Sequence, residues 1–346
     1  METIGTSASI AQTRRKTCLP IALLTLLLLV SIVVATGLGP VSIRPAVTAR
    51  IVFEHLSGAS AVAGAQDNIV WLIRLPRVLL GALVGATLAV AGMVLQAATG
   101  NRLADPHLLG VSSGASVGAV AATLWIGAAL GPFTLSALAF AGALAATSLV
   151  IALGARGRRL DSQRLLLSGI AVSFVMMACA NLLLYLGDQR AAASVLFWML
   201  GGLGLASWDM LGVPGSFAAG GLLLLVGRRR ELNALMSGDI VATTLGVNVA
   251  RIRGELFAVS SLLTAAMVAV SGTIGFVGLV APHVCRRLVG ADHNRLLPAS
   301  ALFGAIMLIW ADVAARMLVA PDELPIGVIT ALLGGAFFVA IMQVRR

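Results

Sequence analysis

The chain has 346 residues, of which 59% are hydrophobic and only 11% are charged, whereas soluble domains carry roughly 25% charged residues. This composition excludes an ordinary soluble domain, because so much apolar surface could not be kept away from water. The net charge of +10 comes from basic residues scattered in short clusters between apolar stretches, which argues against a nucleic-acid-binding face.

The first apolar stretch covers residues 19–37 and follows Arg14, Arg15 and Lys16. A basic segment before an apolar run is also the pattern of a cleaved signal peptide. Because no clear small-residue cleavage site appears and further spans follow, we interpret this stretch as an uncleaved membrane helix. Residues 1–18 are then expected to be a cytoplasmic N-terminal segment, and residues 19–346 a single transmembrane domain.

Apolar runs bounded by charged and turn residues predict an all-α, polytopic membrane protein with about ten transmembrane helices. The first five are expected at about residues 19–37, 77–99, 107–127, 132–153 and 165–187. The second five are expected at about residues 208–226, 256–274, 276–290, 298–318 and 325–343. The third span, rich in Gly and Ser, and the short eighth span have the weakest patterns.

The distribution of basic residues predicts the orientation of these helices. With ten crossings, most of the 24 basic residues fall on one side of the membrane, which the positive-inside rule identifies as the cytoplasm. The exceptions, on or near the opposite side, are Arg44, Arg50, Arg74, Arg77, Arg190 and Arg316. Both termini are therefore expected in the cytoplasm.

Few residues of the chain could couple transport to an energy source. Lys16 is the only lysine and follows Arg15, so the chain lacks the Gly-Lys-Ser/Thr phosphate loop, and ATP hydrolysis would require another polypeptide. Asp312 and Arg316, four residues apart, are expected to pair on one face of the ninth helix. Coupling to an ion through such an acid leaves an ion-coupled secondary transporter open as the alternative function.

Other chemistry is not indicated by the sequence. His107 and His283 are interpreted as helix-end residues, and no cluster of His, Asp or Glu has metal-ligand spacing. No nucleophile motif of a hydrolase is present either. We therefore expect no metal site, no directly bound cofactor and no enzymatic activity of the chain's own.

A short amphipathic segment, SGDIVATTLGVN at residues 237–248, lies in the cytoplasmic stretch of about residues 227–255 between the sixth and seventh spans. The pattern predicts a helix capped by Ser237 or Asp239 and ended by Gly246. An apolar face outside the bilayer fits a groove in a partner protein, although a helix lying in the lipid interface is the alternative. The residues proposed to contact a partner are Ser237, Gly238, Asp239, Ile240, Val241, Leu245 and Gly246.

Several long segments occur in an order that is specific to one group of transporters. They include RLPRVLLGALVGATLAVAGMVLQ from Arg74, NRLADPHLLGVSSGAS from Asn101, SGTIGFVGLVAPHVCRRLVG from Ser271 and ELPIGVITALLGG from Glu323. With these segments the chain resembles, from about Arg74 to its C-terminus, the FecCD-type permeases of binding-protein-dependent importers for iron-siderophores, haem and cobalamin.

The resemblance implies a permease subunit that moves a ferric siderophore, or haem or cobalamin, across the bacterial cytoplasmic membrane by ATP-driven alternating access. It also implies three kinds of partner. These are a second permease subunit, identical or related; two cytoplasmic ATPase subunits, which use the ATP; and an extracytoplasmic substrate-binding protein.

The resemblance also assigns roles to particular residues. Residues 237–248 correspond to the helix that couples the permease to its ATPase. The arginines that match family contacts to acidic residues of the binding protein are Arg74, Arg77 and Arg316. The residues that fall at the family's cytoplasmic gate are Asn101, Ser162 and Gln163.

Overall fold

The computed structural model describes the backbone of residues 3–58, 64–156, 159–160 and 162–344. Within these ranges, the side chains at positions 3–18, 108, 155–162, 190 and 344 lie outside the description. Arg14, Arg15, Lys16, Arg190 and Ser162 are therefore placed by their backbone alone.

Up to residue 186, the described part of the chain forms seven α-helices. They are α1 (Thr3–Gly37), α2 (Pro45–Ser57), α3 (Ala65–Asn68), α4 (Leu75–Thr99), α5 (Val111–Ala121), α6 (Thr134–Gly154) and α7 (Ser162–Leu186). A π-helical turn, Ile69–Arg74, joins α3 to α4 in one continuous helix. Between α6 and α7, β1 (Ala155–Arg156) pairs antiparallel with β2 (Arg159–Leu160).

The described residues after 186 form eight further α-helices. They are α8 (Gln189–Met199), α9 (Gly212–Gly227), α10 (Arg229–Met236), α11 (Asp239–Thr244), α12 (Val249–Ser271), α13 (Val277–Val289), α14 (His293–Met317) and α15 (Ile326–Val344).

The all-α membrane architecture is confirmed. In the described ranges, eight helices are long and apolar enough to cross a membrane. The two other predicted spans are the third, a shorter apolar helix at Val111–Ile126, and the eighth, α13, with 13 residues. At 1.5 Å per residue α13 is about 20 Å long, less than the roughly 30 Å of a bilayer core.

The predicted start of the second span, residue 77, is wrong. The helix begins at Ala65, and Pro76 lies inside it, directly after the π-helical turn Ile69–Arg74, because a local π adjustment lets a membrane helix continue through proline. The prediction also missed α2 and α8, which are too short or too polar to register as spans.

The continuous helix Ala65–Thr99 lies at the centre of the bundle, with 78% of its apolar window buried, against 22% for Gln163–Leu186 and for Ile326–Gln343. Glycines allow this close approach. A Cβ atom on Gly85 would overlap the carbonyl oxygen of Gly304 in α14, and one on Gly92 would overlap Gly278 in α13. Small residues of this kind let membrane helices pack backbone to backbone, so α4, α13 and α14 form a tightly packed unit.

Candidate functional site

The cytoplasmic segment, residues 237–248, forms α11 between two glycines with left-handed backbone. Gly246 has φ +81°, and the amides of Gly246 and Val247 donate to the carbonyls of Thr243 and Ala242 at 3.0 Å each. This is a Schellman cap, which favours glycine at this position. The predicted role of Gly246 in ending the helix is confirmed.

The predicted cap at the other end of α11 is wrong. The residue before the helix is Gly238, with φ +101°, and no side chain caps the exposed amides. Asp239 is engaged elsewhere, because its Oδ1 accepts from Nη2 of Arg253 at 2.8 Å. The same arginine donates from Nε to the carbonyl of Ala98 at 2.7 Å. Arg253 therefore fastens the segment both to α12 and to the inner end of α4.

The apolar side chains of α11 divide between the bundle and the surface. Ala242 is buried, whereas Ile240 is 83% exposed and Leu245 is 67% exposed, with Val241 also exposed. An apolar cluster held at the surface of a rigid element is typical of an interaction site. The segment therefore presents a preformed apolar face on the cytoplasmic side.

At the outer side, Arg77 connects three parts of the chain. Its Nε donates to Oδ1 of Asp312 at 2.9 Å, and its Nη1 and Nη2 donate to the two oxygens of Glu323, each at 2.9 Å. The second interaction is the bidentate geometry in which arginine binds carboxylates most strongly. Arg77 thereby joins α4 to α14 and to the loop before α15.

Arg316 completes the coordination of the same carboxylate. Its Nε donates to Oδ2 of Asp312 at 2.9 Å, so the predicted pair within the ninth span is confirmed. Its Nη1 also donates to the carbonyl of Leu38 at 2.7 Å. Asp312 is thus a buried carboxylate shared between two arginines.

Arg74 holds the same region without a carboxylate. Its Nη1 donates to the carbonyl of Gly37 at 3.0 Å and its Nη2 to that of Val41 at 2.6 Å. We call Arg74, Arg77, Asp312, Arg316 and Glu323 the outer arginine cluster. All three arginines are largely buried against internal partners, while Glu323 is 41% exposed at its side chain. Their docking role stays a prediction.

The predicted gate residues lie at cytoplasmic helix ends. Asn101 follows α4 in an exposed loop, where its Oδ1 accepts from the amide of Leu103 at 2.9 Å. Ser162 and Gln163 begin α7, and the side chain of Ser162 lies outside the described part of the chain. Gln163 is exposed. Their role in gating stays a prediction.

Sequence reasoning missed a cleft inside the bundle, where the short 3-10 helix Pro106–Leu109 meets the irregular segment 272–276 before α13. Nε2 of His107 donates to the carbonyl of Ile274 at 2.7 Å, and Nδ1 is hydrogen-bonded to the hydroxyl of Ser112. The neighbouring Pro106 contacts Gly278, which packs on Gly92, about 10 Å before the inner end of α4.

Such backbone at membrane depth occurs where it is covered by protein or lines a water-filled cavity. The cleft has a volume of about 420 Å³. It is lined by His107, Ser112, Ser113, Ile170, Ser173, Phe174 and Met177. The weak pattern of the third span and the shortness of the eighth span were the sequence signals of this cleft, because both helices start or end inside the bundle.

Among the residues that the structure describes, no group of three or more His, Cys, Asp or Glu side chains could hold a metal ion.

A family profile and several known proteins are similar to this chain. The profile of the FecCD transport family covers residues 26–344. The hemin transport system permease protein HmuU of Yersinia pestis is 43% identical over 289 residues, 80% of this chain and 84% of that protein. The cobalamin import system permease protein BtuC of Halobacterium salinarum is 43% identical over 279 residues, 80% and 74% of the two chains.

A solved structure, described as an inward-facing conformation of a metal-chelate type ABC transporter, superposes with a TM-score of 0.80. It is 30% identical and covers 93% of this chain and 98% of its own. Together with the family profile and the observed bundle, these similarities place the chain in one group. The chain belongs to the FecCD transport family and is a multi-pass ABC transporter permease of the cytoplasmic membrane.

Proposed function

We propose that the chain is the membrane-spanning subunit of a binding-protein-dependent importer that carries a ferric siderophore, or haem or cobalamin, into the cell. The similarity to HmuU, a hemin transport permease, and to BtuC, a cobalamin import permease, supports this substrate class. All three substrates are metal chelates, and a ferric siderophore is the first candidate.

The exposed apolar face of α11 carries the proposal that ATP drives transport. Ile240 and Leu245 are held at the cytoplasmic surface by the glycine-bounded helix and by Arg253. A short helix with apolar anchors is suited to a groove in a partner. We assign this groove to a cytoplasmic ATPase, one copy of which would dock on each of two permease subunits and supply the nucleotide site that this chain lacks.

The second permease subunit, an identical or a related chain, is proposed to cover the cleft beside His107. Helices α7 and α15 are largely exposed, and α7 contributes Ser173, Phe174 and Met177 to the cleft wall. A partner seated against α7 would close the cleft into a passage between the two subunits. Asn101, Ser162 and Gln163 would then lie near the cytoplasmic mouth of that passage.

The outer arginine cluster is the proposed docking site for an extracytoplasmic binding protein. Arg74, Arg77 and Arg316 remain the proposed partners of its acidic residues. Of the two arginines that hold Asp312, Arg77 is the more exposed, at 12% of its side chain against 5% for Arg316. Acids of the binding protein would reach Arg77 first, competing with Glu323 for its fork of N–H donors.

The geometry of Asp312 argues against the ion-coupled alternative. A coupling acid must take up and release a proton or cation during each cycle. Both oxygens of Asp312 already accept from guanidinium groups, at 2.9 Å each. A carboxylate held in this way is suited to fixing helices together.

Uptake of a radiolabelled ferric siderophore by iron-starved cells tests the proposal. A strain lacking the gene should lose uptake, and so should Ile240→Asp, which places a charge on the apolar face of α11. Ile240→Leu keeps that face apolar and should retain uptake. Co-purification of the ATPase with each variant shows whether the loss comes from docking.

Normal uptake in the deletion strain would overturn the siderophore assignment, and the assay would be repeated with haem and cobalamin. Normal uptake and ATPase co-purification in Ile240→Asp would overturn the role of α11. Retained ATPase co-purification with lost uptake would also contradict docking through this face.

A further inference from the structure

Helix α10, which directly precedes α11, is joined to the start of α14 by one side chain, Asn233. Its Nδ2 donates to Oδ1 of Asp292 at 2.8 Å. Its Oδ1 accepts from the backbone amide of His293 at 2.9 Å and from the Nδ1 of the same residue at 2.7 Å. Three hydrogen bonds from one amide therefore connect the two helices.

Asp292 is also the N-cap of α14. Its Oδ1 accepts from the amide of Asn294 at 3.0 Å and from the side chain of Asn294 at 2.8 Å. Partial burial raises the pKa of Asp292, but the hydrogen bonds from Asn294 and Asn233 lower it by more, so the net pKa lies below its ordinary value. The link thus ends on a charged cap at the first turn of α14.

The rest of α10 makes the link stiff. Leu232 and Leu235 are buried in the main core cluster, which also contains Leu296 and Leu297 of α14. Only Ser237 and Gly238 separate α10 from α11. A displacement imposed on α11 is therefore passed to a packed helix that has a polar attachment to α14.

Helix α14 reaches from this link to the outer arginine cluster. It has 25 residues and is about 37 Å long, enough to cross the bilayer core. Its outer end carries Asp312 and Arg316. Close packing of Gly304 on Gly85 holds it against α4 along the way, so we expect movement at the inner end to shift α14 together with α4.

We propose that Asn233 is a positioning residue that couples the cytoplasmic segment to the outer arginine cluster through α14. The inference rests on the proposed function, since the segment must be moved by an ATPase for the link to matter. Asn233 touches neither substrate nor nucleotide in this account. It determines how much of the ATPase motion reaches the side where the binding protein docks.

The experiment uses the complete importer, with ATPase and binding protein, reconstituted in lipid vesicles. Two quantities are measured: substrate transported per ATP hydrolysed, and the factor by which the binding protein stimulates ATP hydrolysis. Asn233→Ala should lower both by about fivefold or more, the lower end of typical coupling effects. Asn294→Ala is the control, because it removes a donor to the same Asp292 oxygen without touching α10.

A compensating change at position 292 separates lost coupling from lost folding. Asn233→Asp alone sets two carboxylates against each other and should uncouple the complex. Adding Asp292→Ser replaces one carboxylate by a hydroxyl, which can accept from the amide of Asn294 as the N-cap and donate to the new carboxylate, and should restore most of both quantities. This rescue is not expected if Asn233 merely fills space.

Wild-type values of both quantities in Asn233→Ala would overturn the inference, as would a double variant no better coupled than Asn233→Asp. An equal loss in Asn294→Ala would assign the effect to the cap of α14 and also overturn it. If the unaltered complex showed no ATP-driven uptake, the proposed function would fail and this inference with it, a result distinct from the others.

Discussion

Arg77 and Asp312 lie 235 positions apart in the chain and meet at the outer side of the bundle, with Nε and Oδ1 separated by 2.9 Å. Arg316 binds the other oxygen of the same carboxylate. The pair joins the central helix to α14, and Glu323 extends it to the loop before α15. A single buried acid therefore connects the elements on which an outer partner is proposed to dock.

Replacing Asp312 by alanine should destabilise the protein strongly. Both arginines would lose their shared carboxylate, and removing one partner of a buried ion pair costs about 3–5 kcal/mol. A thermal melt in detergent should show a clear drop in Tm. Arg50→Ala, which breaks the exposed pair with Glu54, should leave the melt unchanged. Equal melts for the two variants would contradict a structural role for the buried carboxylate.

Gly85→Ala should disrupt the packing of α4 on α14. The added Cβ atom would overlap the backbone of Gly304, and neither helix can move without displacing its neighbours. The matched control is Gly215→Ala in α9, where a Cβ atom meets nothing within 4 Å and alanine is the better helix former. We expect aggregation or a lower Tm for the first variant and an unchanged or higher Tm for the second.

Arg253→Ala should weaken ATP-driven uptake by releasing α11 from α12 and from the end of α4. Arg251, two residues earlier, is an exposed arginine that pairs with Glu255 on its own helix. Arg251→Ala therefore removes the same charge without freeing α11, and should transport normally. Uptake and ATPase co-purification would be measured for both variants. Equal uptake and equal co-purification would contradict a role for Arg253 in holding α11.

His107→Ala should cost more stability than Ser112→Ala. The first leaves the buried carbonyl of Ile274 without its donor, and an unsatisfied buried group costs about 1–3 kcal/mol. The second removes only the partner of the other ring nitrogen. Thermal melts of the two variants should therefore differ in that order, and the reverse order would contradict the described junction.

Local patterns in the sequence predicted much of this structure. The spacing of Asp312 and Arg316 placed them on one helix face, Gly246 marked the end of α11, and apolar runs located the membrane helices. Each of these depends on neighbours within a few residues. The predicted helix bounds failed where a local rule has an exception. Proline usually marks the end of a helix, but Pro76 lies inside the continuous helix Ala65–Thr99.

Contacts between distant segments were beyond the sequence. The spacing of Asn233 and His293, 60 positions apart, carries no periodic signal, and neither does the meeting of His107 with Ile274. The composition of the third and eighth spans indicated that neither is an ordinary long membrane helix. The contact between the segments that precede α5 and α13 depends on how the whole bundle packs. The burial of the three outer arginines likewise follows from tertiary structure.

ATP-dependent uptake by the reconstituted importer tests the central claim most directly. Vesicles holding this permease and its ATPase, supplied with the binding protein, would be given a labelled ferric siderophore with and without MgATP, in the presence of ionophores that collapse ion gradients. The account predicts accumulation that requires ATP and persists when the gradients are collapsed. Accumulation driven by an ion gradient in the absence of ATP would contradict it.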